Sequence, residues 1–297
     1  MNVLITGGSG LLGKSLFETR PQAMSLQGVH LQKYRLPKNM GKHRSLDIRS
    51  KKCVDRLFAK HKFEVVIHAA GIASVDYVKK NYAESLESNI VGTLNISSAC
   101  RKSGAYLIYI SSNAVFDGLS APYAESSRPN PVNEYGEIKL ECERLIEKTL
   151  SNACIIRPIL MYGWNHPAGR SNPVTWVLEK LRTGQKINVV DDVWENPLYN
   201  RSCGEAIWRA VEMRPSGKVH LAGADVLNRF ELAKITADVF GLDGGLISAV
   251  KSTSFPSLAQ RPPNTTFSTN KMQELLGVKP ERIRAGLEDM KRREEKK

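Results

Sequence analysis

The chain has 297 residues, 41% of them hydrophobic, enough for one large α/β domain or two linked lobes and too apolar for wholesale disorder. No apolar run approaches the roughly 18–20 residues that span a bilayer, so no membrane partner is expected. The net charge is +13, but the basic residues are spread along the chain without an RNP, KH or zinc-finger pattern; no nucleic acid is expected, and a phosphate-rich cofactor and substrate would use the same field.

In chain order, NVLIT (2–6) is a short β-branched run ending in glycines, and LLGKSLFETR (11–20) follows with helical periodicity. The opening has no basic n-region and its apolar run breaks after five residues, so no signal peptide and a cytoplasmic location are expected. GVHLQKY (28–34) reads as a second strand, SKKCVDRLFAKHK (50–62) as an amphipathic helix and FEVVIHAA (63–70) as a buried strand. ESLESNIVGTLNISSACRK (84–102) predicts one long helix, AYLIYISS (105–112) a strand, NEYGEIKLECERLIEKTL (133–150) a helix and ACIIRP (153–158) a strand. Continuous apolar strands separated by helices predict an α/β fold with a doubly wound parallel sheet, both faces covered and right-handed crossovers throughout.

After about residue 160 the rhythm changes. Helices are expected at 172–184, 203–213, 229–241 and 280–297, and strands at 186–190 and 218–223. The expected division is a Rossmann domain over 1–160 and a smaller C-terminal α/β lobe over 161–297, with some of its segments returning to the first domain. The five cysteines are scattered without CxxC, and the six histidines lack ligand spacing, so neither a disulfide framework nor a metal is expected.

ITGGSGLLG places Gly7, Gly10 and Gly13 at G-xx-G-xx-G spacing between the first strand and the first helix. Gly7 permits the tight turn, Gly10 lets backbone approach a pyrophosphate, and Gly13 lets the helix pack close to the sheet. With Ser9, Leu11 and Leu12, these residues form the expected phosphate cradle, aided by the positive end of the helix. The position after a strand and before a helix is the context that makes the motif specific for a dinucleotide. The second strand ends in LQKYRLPKN, where Lys33 and Arg35 stand without a nearby acid, which favours NADP(H) over NAD(H). Asp47 and Ile48 would suit the adenine, as an acceptor for its amino group and an apolar face.

YISSNAVFDG ends a central strand, so Ser112 is expected at the carboxyl edge where ligands bind. Tyr135 and Lys139 lie four apart on the following helix and share a face. A tyrosine titrates near 10 and is a poor proton donor alone, but an adjacent ammonium stabilises its phenolate. Tyr135 would protonate a carbonyl oxygen, Ser112 would hold that oxygen, and Lys139 would tune the tyrosine and bond the nicotinamide ribose.

On these motifs the chain resembles the extended short-chain dehydrogenase/reductase family, and within it the dTDP-4-dehydrorhamnose reductases, almost from end to end. The stretches that carry the resemblance are TGGSGLLG, VVIHAAGIASVD, ESNIVGTLNI and SSNAVFDG…PYAESSRPNPVNEYGEIKLECE, with INVVDDVWENPLY and QRPPNTTFSTNKMQELLG particular to the reductase group. The resemblance implies an NADP(H)-dependent reductase of a 4-keto nucleotide-diphospho-sugar, with the roles given above for Ser112, Tyr135 and Lys139. It further implies cofactor contacts by Asp47, Ile48, Ala69, Ala70, Gly71, Asn89 and around Arg157 and Pro158.

The departures fall where the sugar should sit. The reductases usually carry Thr-Asp-Tyr where this chain has Ser112-Asn113-Ala114, and Trp where it has Leu160. Asn113 and Leu160 are therefore candidate substrate contacts, and Asn172, Arg201 and Arg261 are candidates for holding a nucleotide diphosphate, for which a planar guanidinium is suited. Two alternatives stay open: an NAD-dependent nucleotide-sugar epimerase, and a non-catalytic, NADP-binding regulatory subunit like the beta subunit of methionine adenosyltransferase. Dehydration is disfavoured because Asn113-Ala114 lacks the acidic pair that such enzymes use. A homodimer is left open.

Overall fold

A computed structural model describes residues 1–31, 42–166 and 169–295. Its first half runs β1 (Asn2–Thr6), α1 (Leu11–Glu18), β2 (Ser25–His30), β3 (Lys42–Ser45), α2 (Lys51–Lys60), β4 (Val65–His68), α3 (Val75–Lys80) and α4 (Tyr82–Leu86). A π-helical turn at Glu87–Val91 joins α4 to α5 (Gly92–Ser103), and β5 (Tyr106–Ile110), a 3-10 turn at Asn113–Val115, α6 (Glu134–Thr149) and β6 (Ala153–Pro158) follow. The sheet order is β3-β2-β1-β4-β5-β6, every pairing parallel.

The strands sort their side chains with a period of two. Val3, Ile5, Ile67 and Ile108 enter one apolar cluster, while Leu4, Val66, Leu107 and Tyr109 enter another on the opposite face. Both faces are thus covered, as the continuous apolar runs predict. Strand order reverses at β1 and β4, which opens a crevice at their carboxyl ends.

The second half supplies β7 (Met161–Tyr162), α7 (Pro173–Arg182), β8 (Ile187–Val190), β9 (Trp194–Glu195), β10 (Leu198–Tyr199) and α8 (Asn200–Met213). It continues through β11 (Gly217–Leu221), β12 (Leu227–Asn228), α9 (Arg229–Phe240), β13 (Ile247–Val250), α10 (Asn270–Leu276) and α11 (Ile283–Glu294). β11 pairs with β6 as the seventh strand of the large sheet. Helix α8 also joins the first lobe: Trp208 Nε1 donates to the Leu16 carbonyl at 3.1 Å, and the Ser15 hydroxyl donates to the Asn200 carbonyl at 2.5 Å. Small pairings of β7 with β10, β8 with β13 and β9 with β12 build the remaining lobe around α7 and α9. The helix expected over 84–102 carries the π turn, and the second strand is described only to His30.

Candidate active site

The crevice begins with the glycine loop. Gly7 has φ of +76°, and a β-carbon there would stand 2.7 Å from the Ala69 carbonyl and the Ala70 nitrogen. A β-carbon on Gly13 would meet the Gly7 oxygen at 2.5 Å and Gly8 backbone at 2.6 Å. Gly10 differs: it is exposed, its nearest neighbour would be 3.4 Å away, and it caps α1 with no side chain bonded across the helix end. Ser9 and Leu11 are half-buried beside it, while Leu12 points into the core. The loop leaves a backbone-lined cradle at a helix N-terminus, which fits the pyrophosphate of a dinucleotide.

A buried polar chain holds the other wall. The Ala70 N–H donates to Thr6 Oγ1 at 3.1 Å, Thr6 Oγ1 lies 2.7 Å from His68 Nδ1, and His68 Nε2 lies 3.1 Å from Thr93 Oγ1. Burial, reinforced by the charge of Lys139, pushes the His68 pKa down to about 3. A neutral imidazole with a hydroxyl at each nitrogen ties the end of β4 to β1 and α5. It thereby fixes Ala69 and Ala70 against the loop.

Ser112 follows β5 and caps the 3-10 turn, its Oγ accepting the Ala114 N–H at 3.1 Å. Tyr135 and Lys139 lie on the buried face of α6. Two contacts bring them to Ser112. Lys139 Nζ donates to the Ile110 carbonyl at 2.8 Å, two residues before Ser112. Gly136 packs so closely that a β-carbon would fall 2.1 Å from the Ala114 carbonyl oxygen, two residues after it. Helix α6 is seated by its N-cap, Asn133, whose Oδ1 accepts the Gly136 N–H at 2.9 Å. Lys139 also bonds the Tyr109 hydroxyl at 3.3 Å, and burial holds that phenol well above its usual pKa. Both partners of the ammonium are oxygens that carry no charge, and Lys139 stands one turn from Tyr135 on the same buried face of α6.

Asn113 reaches the second lobe. Its Nδ2 donates to Glu195 Oε1 at 3.0 Å and to Thr265 Oγ1 at 2.7 Å, while its Oδ1 accepts from the Ser112 hydroxyl at 3.3 Å. Glu195 is 6% exposed and pairs with Arg229 at 2.8 Å. Glu195 and Thr265 lie in the two stretches particular to the reductase group, but their pairing with Asn113, and that of Arg229 with Glu195, joins segments remote in sequence and is not legible there.

Several expected contacts have other partners. The Asp47 carboxylate is held by Arg49, at 2.7 Å from its Nη2, and this pairing draws its pKa below the usual carboxylate value. Ile48 packs against Gly92. Asn89 lies in the π turn, donates to the Ser85 and Ile72 carbonyls at 2.8 and 3.3 Å, and leaves no room for a β-carbon on Gly71. The Arg157 side chain, expected toward the cofactor, is instead fully buried: Nε and Nη2 bond Glu143 at 2.8 and 2.6 Å, and Nη1 faces His220 at 3.3 Å. Ser111 donates to the same carboxylate. Only a bidentate, fully bonded pair offsets the cost of burying both charges. Pro158 ends β6 beside it.

Each of the three residues expected at a diphosphate has a protein partner. Asn172 caps α7, accepting from Thr175 at 3.3 Å and donating to the Gly163 carbonyl at 2.7 Å. Arg201 lies among Glu18, Glu205 and Asp289 at 3.7–3.9 Å. Arg261 pairs with Asp76 on α3 at 2.8 Å. Leu160 is half-buried and packs against the edge of an apolar cluster of the second lobe. Lys33 and Arg35 lie outside the described residues.

The chain matches the RmlD substrate binding domain family over residues 1–295. It is 29% identical over 280 residues to methionine adenosyltransferase 2 subunit beta of Xenopus tropicalis, covering 92% of this chain and 81% of that protein. Among solved structures, a dTDP-4-dehydrorhamnose reductase from Bacillus anthracis, in complex with NADP, is 25% identical, with a TM-score of 0.84 and 98% and 99% of the two chains covered. The reductase from Clostridium acetobutylicum superposes with a TM-score of 0.88 at 23% identity, over 99% of this chain and 100% of that one, and shares the fold.

Proposed function

The chain belongs to the RmlD substrate binding domain family, and from that premise we propose that it is an NADP(H)-dependent reductase of a 4-keto nucleotide-diphospho-sugar. The observation that supports the reading is Ser112 just after β5 with Tyr135 and Lys139 on the α6 packed beside it, in a sheet whose strand order reverses next to the glycine loop after β1. Bound NADPH supplies the hydride. Tyr135 donates its hydroxyl proton to the carbonyl oxygen, and the nearby Lys139 ammonium stabilises the phenolate left behind. Ser112 donates a hydrogen bond to the same oxygen and steadies its developing charge. Lys33 and Arg35 support NADPH over NADH, and five free thiols support a reducing, cytoplasmic setting. The oligomer we propose is a homodimer.

A second reading has one specific support, the likeness to the methionine adenosyltransferase subunit. Under it the protein binds NADP without consuming it. One experiment separates the two: NADPH oxidation by purified protein against a panel of 4-keto nucleotide sugars, with Tyr135→Phe as the control. The reductase reading expects turnover in the wild type and a loss of a hundredfold or more on removing only the hydroxyl, on the order expected for a general acid. NADPH affinity should stay within a few-fold. Undiminished turnover in Tyr135→Phe would remove Tyr135 from the mechanism, and binding without any turnover favours the regulatory reading.

A further inference from the structure

We propose that Glu195 sets the hydrogen-bonding polarity of the crevice beside Ser112, and so selects ketones that carry a hydroxyl on the neighbouring carbon. The inference rests on the reductase reading for its substrate class but on separate residues for its geometry.

A carboxamide has two faces, and its neighbours decide which one a ligand meets. The Glu195 carboxylate can only accept, so it compels Asn113 to turn Nδ2 toward the second lobe. Thr265 Oγ1 receives the other Nδ2 hydrogen and is itself 2% exposed. Arg229 holds the carboxylate in place from the far side. Asn113 Oδ1 is then fixed toward Ser112, whose hydroxyl donates to it at 3.3 Å. Ser112 Oγ is anchored in turn by the Ala114 N–H.

The pair Ser112 and Asn113 thus offers one donor and one acceptor side by side. When a ketone arrives, the Ser112 hydroxyl turns to its oxygen and Asn113 Oδ1 loses its donor. An acceptor stranded in a desolvated crevice is costly, and the substrate group that relieves it must donate. The oxygens of a hydroxyketone are about one hydrogen-bond length apart, the spacing of the Ser112 and Asn113 oxygens. A hydroxyl next to the carbonyl therefore fits, and a methylene leaves Oδ1 unpaired. Polar sites built in this way reject the analogue that lacks the group.

The test compares a 4-keto nucleotide sugar bearing the neighbouring hydroxyl with its deoxy counterpart. Affinities are read by calorimetric titration into NADP⁺-loaded protein, where no hydride is available, and kcat/KM is read with NADPH. The wild type should prefer the hydroxylated sugar by roughly tenfold to a hundredfold, the cost of one unpaired buried acceptor. Glu195→Gln lets the Asn113 amide turn over, because glutamine presents a donor or an acceptor, and the preference should collapse toward unity while NADPH affinity holds. Thr265→Val removes the other acceptor at equal volume and should weaken the preference in the same direction, which guards against a Glu195 variant that fails to fold. The assignment is overturned if the wild type binds both sugars equally, or if the variants keep the full preference. Binding discrimination without turnover would leave the assignment standing and remove the reductase reading alone.

Discussion

At the scale of single residues, the choice of cofactor is the sharpest case. Lys33 and Arg35 lie outside the described residues, so their assignment rests on charge alone: two cations and no acid where the second strand ends. A 2′-phosphate gains charge-assisted bonds from such groups, worth about 1.5–3 kcal/mol each, which a 2′-hydroxyl does not gain. Lys33→Ala with Arg35→Ala should therefore cut the preference for NADPH over NADH by tenfold or more in fluorescence titrations. An unchanged ratio would contradict the assignment. Residue type was legible elsewhere too, but residue partnership was not. Arg157 was expected at the cofactor and lies in a buried pair with Glu143. Glu143 could have been found, since it follows Tyr135 and Lys139 at the same spacing of four and so shares their inward face. Asn172 is a good ligand type and an equally good helix cap, and the capping box at α7 fixes it as a cap.

At the scale of elements, the glycine loop was legible because its constraints are local. Gly7 and Gly13 are each pressed by backbone that belongs to the same turn or to the adjacent strand end. Backbone cannot swing aside as a side chain can. Gly13→Ala should push α1 off the loop, with a stability loss of about 1–3 kcal/mol from overpacking and at least a tenfold loss of NADPH affinity. Gly10→Ala should leave the fold intact, since its β-carbon meets nothing closer than 3.4 Å, and should weaken only the cofactor. Thermal melts and NADPH titrations of both variants check this, and wild-type behaviour in Gly13→Ala would refute it. The π turn at Glu87–Val91 was not legible, because one extra residue in a turn barely disturbs a helical pattern. The two-residue strands of the second lobe were equally silent: they are too short to show alternation, and their pairing is set by distant chain.

At the scale of the whole molecule, acid should unfold this protein earlier than its carboxylates alone would. His68 lies at the sheet's switch point and His220 on its edge strand, both fully buried and both pushed down to about 3. For each, burial is the main cause, with Lys139 adding to it at His68 and Arg157 at His220. In the unfolded chain each takes a proton near its ordinary value of 6.5. Between 6.5 and 3 the unfolded state therefore binds more protons than the folded one, and stability rises with pH across that window. The contribution is complete above 6.5 and is lost progressively as pH falls toward 3. At pH 5 each histidine should have cost about 2 kcal/mol. The paired carboxylates of Asp47 and Asp289 act in the same direction, but only below the usual carboxylate range near 3.8. The loss between pH 7 and 5 accordingly belongs to the histidines. The net charge of +13 adds self-repulsion as pH falls, which salt screens while leaving the buried histidines untouched. Urea unfolding at pH 7 and 5 in high salt should show a drop of roughly 4 kcal/mol, and His220→Gln should remove about half of that pH dependence. A drop below about 1 kcal/mol in the wild type would mean that the two imidazoles accept protons inside the fold, and that the Thr6–His68–Thr93 chain does not hold the crevice wall as a neutral network.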